Sequence, residues 1–379
     1  MKFTVNRAIF LKKLKDVQLA VSSRATIPIL TGIKLIADSE GIKMTGSNSD
    51  ISIETILTVS NEAAELTIDA PGEVVLQPAR FFSDIVNKLP DETFTVEVKN
   101  GVQTSITSAS SAFVINGLDA VNYPRLPEID TKDAFTLPVN LLKKIIKQTV
   151  IAVSTHESRP ILTGIHFIIK DGKLKAVATD SHRLSQRVIP IEGTENLSYD
   201  LVIPGKSLQE LTRLLDDSLD EIEVSVAENQ ILFKTEDTYF YSRLLEGNYP
   251  DTNRLIPESS STQLTLEAST LLGAVERASL LSHEGKNNVV KLTVKDNSVE
   301  ITGNSPEVGR VNEQVTFNDL KGEDMEISFN PDYLKAALTT FGSIEVTLKL
   351  ISTLRPFVLV PSENNDEFIQ LITPIRTSS

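Results

Sequence analysis

The chain repeats itself, and an internal repeat constrains architecture before any single motif does. Displacing the sequence by 132 positions lays Pro28-Ile29-Leu30-Thr31-Gly32-Ile33 on Pro160-Ile161-Leu162-Thr163-Gly164-Ile165, identical throughout. The same offset sets Phe3-Thr4-Val5 on Phe135-Thr136-Leu137 and Gly46-Ser47-Asn48-Ser49 on Ala178-Thr179-Asp180-Ser181. Further along, the offset shortens to 126: Pro78 falls on Pro204, and Asn122-Tyr123-Pro124 on Asn248-Tyr249-Pro250. A polar, proline-containing stretch follows each Tyr-Pro and reads as a linker. From about residue 254 the remainder has the length of a third copy and the same order of elements. Leu264-Thr265-Leu266 precedes one helical pattern there, and Phe329-Asn330-Pro331 precedes another.

For 379 residues, a prior of two or three domains becomes three, spanning 1–126, 127–253 and 254–379. Within a unit the pattern is α+β. Ile9, Phe10, Leu14, Val17 and Val21 make one apolar stripe of period 3.6 over a helix near residues 7–20, with Lys12, Lys13 and Lys15 off it. Short alternating strands follow at 33–36, 42–44 and 51–56, then a helix at 79–89 and strands near 94–98 and 102–105. Two helices on antiparallel sheets would bury both apolar sides.

Composition removes several chemistries. No cysteine is present, which excludes disulfides, thiolate metal sites and cysteine nucleophiles. The four histidines (His156, His166, His182, His283) share no metal-ligand spacing, so neither a metal nor a cofactor is expected. No apolar run reaches membrane-spanning length, and charge interrupts the N-terminal pattern too early for a signal peptide. His156, His166 and His283 read as surface or strand residues without partners.

The net charge of −14 argues at first against nucleic acid. Its distribution argues otherwise: the six expected helices sum to +8, leaving −22 for everything else. A basic helical surface can neutralise phosphates without reading bases, although solvated helix faces also favour lysine for no such reason.

Three motifs carry possible chemistry. Gly205-Lys206-Ser207 resembles the end of a phosphate loop, but the glycine required five residues earlier is Asp200, so the segment reads as a helix start. Ser181-His182 next to Asp180 places a nucleophile and base together, which would allow a hydrolase. Triad members normally converge from separate elements, and a turn presenting His182, Arg183 and Leu184 beside a groove accounts better for the segment. The apolar ending Leu371-Ile372-Thr373-Pro374-Ile375-Arg376 reads as a last strand whose proline marks an edge, bordering a peptide groove.

Met1-Lys2-Phe3-Thr4-Val5, Arg24-Ala25-Thr26-Ile27-Pro28-Ile29-Leu30, Ala178-Thr179-Asp180-Ser181-His182-Arg183-Leu184, Asn248-Tyr249-Pro250-Asp251 and Pro374-Ile375-Arg376 together resemble the bacterial DNA polymerase III beta subunits, the sliding-clamp family of replication. The resemblance covers the whole chain. It implies a non-catalytic processivity factor: three similar domains per chain and two chains head to tail, closing a ring-shaped homodimer. Helices would line the hole, sheets would form the wall, and duplex DNA would pass through without sequence readout. The replicative polymerase would be tethered, a clamp-loader ATPase would open the ring, and other replication and repair proteins would dock through short linear peptides. The location would be cytoplasmic, with the nucleoid, and away from membranes. Carried onto this sequence, the partner-peptide pocket comprises Arg159, Ile161, Leu162, Thr179, Ser181, His182, Arg183, Leu184, Pro250, Arg254, Leu255, Leu371, Thr373, Pro374, Ile375 and Arg376. Ser181 stands where many relatives carry glycine. By position, Arg24, Arg80 and Lys206 would face DNA; the helix reading adds Lys12, Lys13, Lys143, Lys144 and Lys147. A protein-interaction scaffold independent of DNA is the other non-enzymatic alternative.

Overall fold

A computed structural model describes residues 1–22, 26–99, 101–283, 288–363 and 367–376. Among the described residues six α-helices punctuate the strands: α1 Arg7–Gln18, α2 Ala79–Lys88, α3 Val139–Thr149, α4 Gly205–Leu214, α5 Ala268–His283 and α6 Pro331–Phe341. Their starts follow local chemistry. Asn6 caps α1, its side-chain oxygen accepting from the Ala8 and Ile9 amides at 3.0 and 3.3 Å. Asn330 caps α6 in the same way at Asp332, with Pro331 in the first turn where its missing N–H costs nothing. Two helices end on tightened turns. The Leu19 amide turns back to Asp16 and Val17 and ends α1, and α3 tightens into a 3-10 turn over Val150–Ala152.

The residues group into two compact units, which are not the sequence repeats. One unit holds residues 1–140 with 206–244, the other 141–205 with 245 onward, so the middle repeat contributes to both. In the first unit the described strands form an antiparallel sheet in the order Phe135–Pro138, Glu221–Val226, Gln230–Lys234, Thr238–Arg243, Ile51–Thr58, Gly41–Ser47, Ile33–Ala37, Gly72–Leu76, Ser111–Leu118, Gln103–Ser108, Thr93–Lys99, Lys2–Asn6, Thr67–Ala70. In the second, one sheet runs Ser198–Pro204, Gly164–Lys170, Lys173–Thr179, Arg183–Pro190, Phe368–Ile372, Phe357–Pro361, Glu345–Leu350, Thr262–Glu267, Asp319–Gly322. A four-stranded sheet in the same unit runs Gly309–Gln314, Ser298–Ser305, Val290–Lys295, Met325–Phe329.

Each long sheet contains a joint where one repeat pairs with the next. Thr238–Arg243 pairs with Ile51–Thr58, Ser242 lying opposite Ile51. Phe368–Ile372 pairs with Arg183–Pro190, Ile372 lying opposite Arg183. Ile51 and Arg183 are 132 residues apart, so the same joint is built twice. One residue beyond each pairing the agreement persists: the Arg243 amide donates to the Asp50 carbonyl, and the Thr373 amide to the His182 carbonyl, both at 2.9 Å.

Helices cover the sheets as the period-3.6 pattern requires. In the first unit Phe10 of α1 is fully buried, its ring 6.0 Å from Phe3, 6.1 Å from Phe82 of α2 and 5.2 Å from Phe94. Each such side chain contributes about 1.5–3 kcal/mol by leaving water. In the third repeat, Leu271, Val275 and Ala278 of α5 and Leu334, Leu338 and Phe341 of α6 pack over Leu292, Ile301, Leu348 and Phe357. Third-repeat identity is weak, yet one position betrays the common plan. A Cβ on Gly46 would meet the Val17 carbonyl of α1 at 2.5 Å, and one on Gly303 the Ala278 carbonyl of α5 at 2.2 Å. Helix and strand approach too closely there for a larger side chain. Gly273, inside α5, meets only the Arg277 guanidinium at 3.3 Å, which can swing away. Gly303→Ala is therefore expected to lower stability by about 1–3 kcal/mol, and Gly273→Ala to raise it by about 0.5–1 kcal/mol, in urea titrations of both variants.

Candidate partner groove and cationic helices

All sixteen groove residues expected from the sequence fall in the second unit. The joint between Arg183–Pro190 and Phe368–Ile372 brings the two sequence-distant halves together. Its floor is apolar: Val177, Leu184, Val358 and Leu371 form a small buried cluster with Ile256 and Ile369 against it, and Leu162 is buried nearby in the Pro160–Thr163 turn. Ile161 is half-buried beside Gly247. Pro250, Arg254 and Leu255 are exposed, Arg254 pairing with Asp251 at 2.9 Å.

The turn at 180–182 is held by its own side chains. Asp180 accepts from the His182 and Arg183 amides at 2.9 and 3.0 Å and from the Arg183 guanidinium at 3.0 Å. Thr179 donates its hydroxyl to the Arg183 carbonyl at 2.7 Å and accepts from the Ser181 amide at 3.2 Å. These bonds impose φ +79° on Ser181, a left-handed conformation that glycine adopts without strain. Ser181 accepts from Arg159 at 3.3 Å, while His182 stacks on Tyr333 of α6 at 6.4 Å. Arg183 lies over the same Tyr333 ring at 4.6 Å, a cation–π contact that fixes its height above the floor. Thr373 closes the end, its amide and hydroxyl both donating to the His182 carbonyl at 2.9 Å. Pro374 and Ile375 continue half-buried, Ile375 donating to the Ser328 carbonyl, and Arg376 is exposed.

Behind this turn lies an arrangement the sequence did not disclose. The His166 ring bonds Asp200 at 2.7 Å and packs on Tyr249 at 4.7 Å, and the Tyr249 hydroxyl accepts from the Thr179 amide at 3.0 Å. Burial pushes the Tyr249 phenol well above its usual range, so it stays protonated. His283 likewise bonds Asp332 at 3.1 Å, so only His156 of the three is without a side-chain partner among the described residues. Both pairings correct the reading of His166 and His283 as unpartnered. The signal lay in register: His166 and Asp200 are diagonal neighbours on paired strands, His166 lying opposite Val202.

The cationic residues lie on several helices. Arg24 is outside the described residues. Arg80 on α2 is exposed, 3.9 Å from Asp84, and Lys206 on α4 is exposed. Lys144 and Lys147 of α3 are exposed and Lys143 is half-buried. Lys12 and Lys13 are not free: Lys12 pairs with Asp216 at 3.2 Å, and Lys13, largely covered, pairs tightly with Asp237. Burial, aided by Asp237 and Asp216 and opposed by Lys13 and Lys12, pushes the Asp16 carboxyl beside them up to about 6. Among the described residues no three His, Asp or Glu side chains gather as a metal site, and no helix is long and apolar enough to cross a membrane.

Repeated α+β units joined edge to edge into long antiparallel sheets, with cationic helices packed against them, define the class. Family models of the DNA polymerase III beta subunit match residues 1–127 with its N-terminal domain, 136–251 with its central domain and 253–376 with its C-terminal domain. The chain therefore belongs to the DNA polymerase III beta subunit family. It is 47% identical over 379 residues, the full length of both chains, to the beta sliding clamp of Bacillus subtilis, and 45% identical over 99% of both chains to that of Streptococcus pneumoniae. The solved DNA polymerase sliding clamp of Bacillus subtilis superposes with TM-score 0.97 at 46% identity, covering both chains completely. The beta chain from Streptococcus pneumoniae gives TM-score 0.97 at 45% identity, covering 99% of this chain and all of that one. Its role is that of a sliding clamp in DNA replication.

Because the folded state holds the Asp16 proton to about pH 6, against 3.8 ordinarily, it binds more protons than the unfolded chain between those values. Stability from this group is present at low pH and is lost as pH rises from about 4 to 6. Asp16→Asn is expected to remove that descent, seen as a urea midpoint that gains on the parent with rising pH and levels above pH 6.

Proposed function

We propose that two copies of this chain close head to tail into a ring around duplex DNA and tether the replicative polymerase to it. The observation that carries this reading is the full-length match to beta sliding clamps, three domains in order. The domains would divide at 1–126, 127–253 and 254–379. DNA would be held topologically and without sequence readout, by Arg24 and by the basic helix residues Arg80, Lys206, Lys144 and Lys147. The acidic remainder would repel DNA from other surfaces, since like charge disfavours phosphate. A clamp-loader ATPase would open the ring, and the location would be the cytoplasm, with the nucleoid.

The groove at Leu162, Thr179–Leu184 and Leu371–Arg376 would receive short linear peptides from the polymerase, the loader and other replication and repair proteins. Its buried apolar floor and polar rim support this, because an apolar anchor gains most where surrounding groups exclude water. The chain itself would be non-catalytic. Ser181 and His182 hold different partners, Arg159 and Tyr333, which supports a structural turn over a nucleophile and base.

In light scattering the particle is expected at about twice the chain mass of 41.6 kDa; a strict monomer at micromolar concentration would refute the closed ring. Loaded onto a nicked circle by a clamp loader, it should stay bound through a salt wash and leave when the circle is cut. Retention on the cut DNA would sink topological holding. Ser181→Ala should leave loading and processive synthesis intact, whereas loss of any hydrolytic activity in that variant would revive the enzyme reading.

A further inference from the structure

The joint in the first unit carries a cavity of about 380 Å³. Its construction repeats, element by element, that of the groove in the second unit. Ile27 and Leu30 occupy the positions of Arg159 and Leu162 around identical Pro-Ile-Leu-Thr turns. Asn48 accepts from the Asp50 and Ile51 amides at 2.8 and 2.9 Å, as Asp180 does from His182 and Arg183. Tyr123 is buried with its hydroxyl on the Thr45 carbonyl at 3.3 Å, where Tyr249 meets the Thr179 amide. The scaffold is duplicated, but the side chains that face outward are not.

Those side chains define a ligand chemistry. Ile27, 52% exposed, and Leu30 offer an apolar surface. Arg125 and Arg243 line the cavity, both exposed and neither in an ion pair among the described residues, against the single carboxylate of Asp50. An occupant that matches needs an apolar side chain and an adjacent carboxylate for the arginines.

We propose that this cavity is a second docking site on the same chain, for a short extended peptide that places a carboxylate between apolar anchors. A peptide supplies both groups within three or four residues. The two duplicated joints then serve different sequences, the first unit's selecting acidic peptides through Arg125 and Arg243. The inference rests on the first unit's residues and does not require the second unit's groove to bind peptide.

The test uses the full-length protein and acetyl-Leu-Asp-Leu-(p-benzoyl-Phe)-amide, irradiated and mapped by trypsin and mass spectrometry. Labelling is expected in fragments 25–34 or 235–243, which carry Ile27 and Tyr241. Arg243→Glu, in which loss of the tryptic site extends the second fragment to 235–254, or lysine in place of the probe's aspartate, should reduce that labelling about tenfold, the loss of one charge-assisted contact. Ile27→Arg should reduce it through the apolar contact instead. Both replaced side chains are exposed, and circular dichroism is expected to show both variants folded. Labelling confined to fragments bearing residues 160–184 or 371–376 would overturn the proposal while leaving the other groove's reading intact. First-unit labelling indifferent to all three changes would overturn it as non-specific, and absence of label only near 371–376 would count against the other groove alone.

Discussion

The structure depends on edge strands that end their exposure by pairing with the next repeat. A strand edge presents a row of unpaired N–H and C=O groups and invites aggregation unless something covers it. Here Ile51–Thr58 is met by Thr238–Arg243, and Arg183–Pro190 by Phe368–Ile372. Each pairing joins residues far apart in sequence at the cost of ordering the chain between them, and returns a continuous ladder that no short local contact could supply. The candidate groove follows from it. Leu371 reaches Leu184 because Ile372 lies opposite Arg183, and the Thr373–His182 bond extends that register past the last paired residues.

The same dependence explains how the side chains at the turn are fixed. Asp180 bonds three donors from Arg183 and His182, and Tyr333 then receives the Arg183 guanidinium. Burial and the nearby Asp180 carboxylate both push the Tyr333 phenol up, so the ring remains neutral and keeps its electron-rich face toward the guanidinium. His166, Asp200 and Tyr249 support the Thr179 end from behind. The turn is rigid because its polar groups are satisfied from within.

The repeat was legible because its identities sit where geometry is least forgiving. Pro28-Ile29-Leu30-Thr31 and Pro160-Ile161-Leu162-Thr163 make the same 3-10 turn, and Tyr123, buried, and Tyr249, half-buried, each bond the backbone behind their joints. The third copy was harder to read because close approach there asks only for a small residue, met by Gly303 as by Gly46. Helices were legible by period, while their ends were set by 3-10 tightening that periodicity does not encode. Histidine pairings were not legible, since register decides which residues 34 apart become diagonal neighbours. Nor was the pairing of Lys12 and Lys13: a charge tally by element treats as free two cations that Asp216 and Asp237 partly neutralise.

Duplication also separates what a fold must keep from what it can vary. At both joints the residues that make the turn retain their chemistry: Asn48 and Asp180 accept from the same two amides, and Leu30 and Leu162 are buried alike. At the rims they diverge, Ile27 against Arg159 and Asp50 against His182. Backbone carbonyls, not side chains, carry the bonds from Arg243 to position 50 and from Thr373 to position 182. Side-chain identity at those positions is therefore released from holding the joint together. A protein built this way can change what a groove recognises without changing the register that forms it, because specificity and assembly draw on different atoms of the same residues.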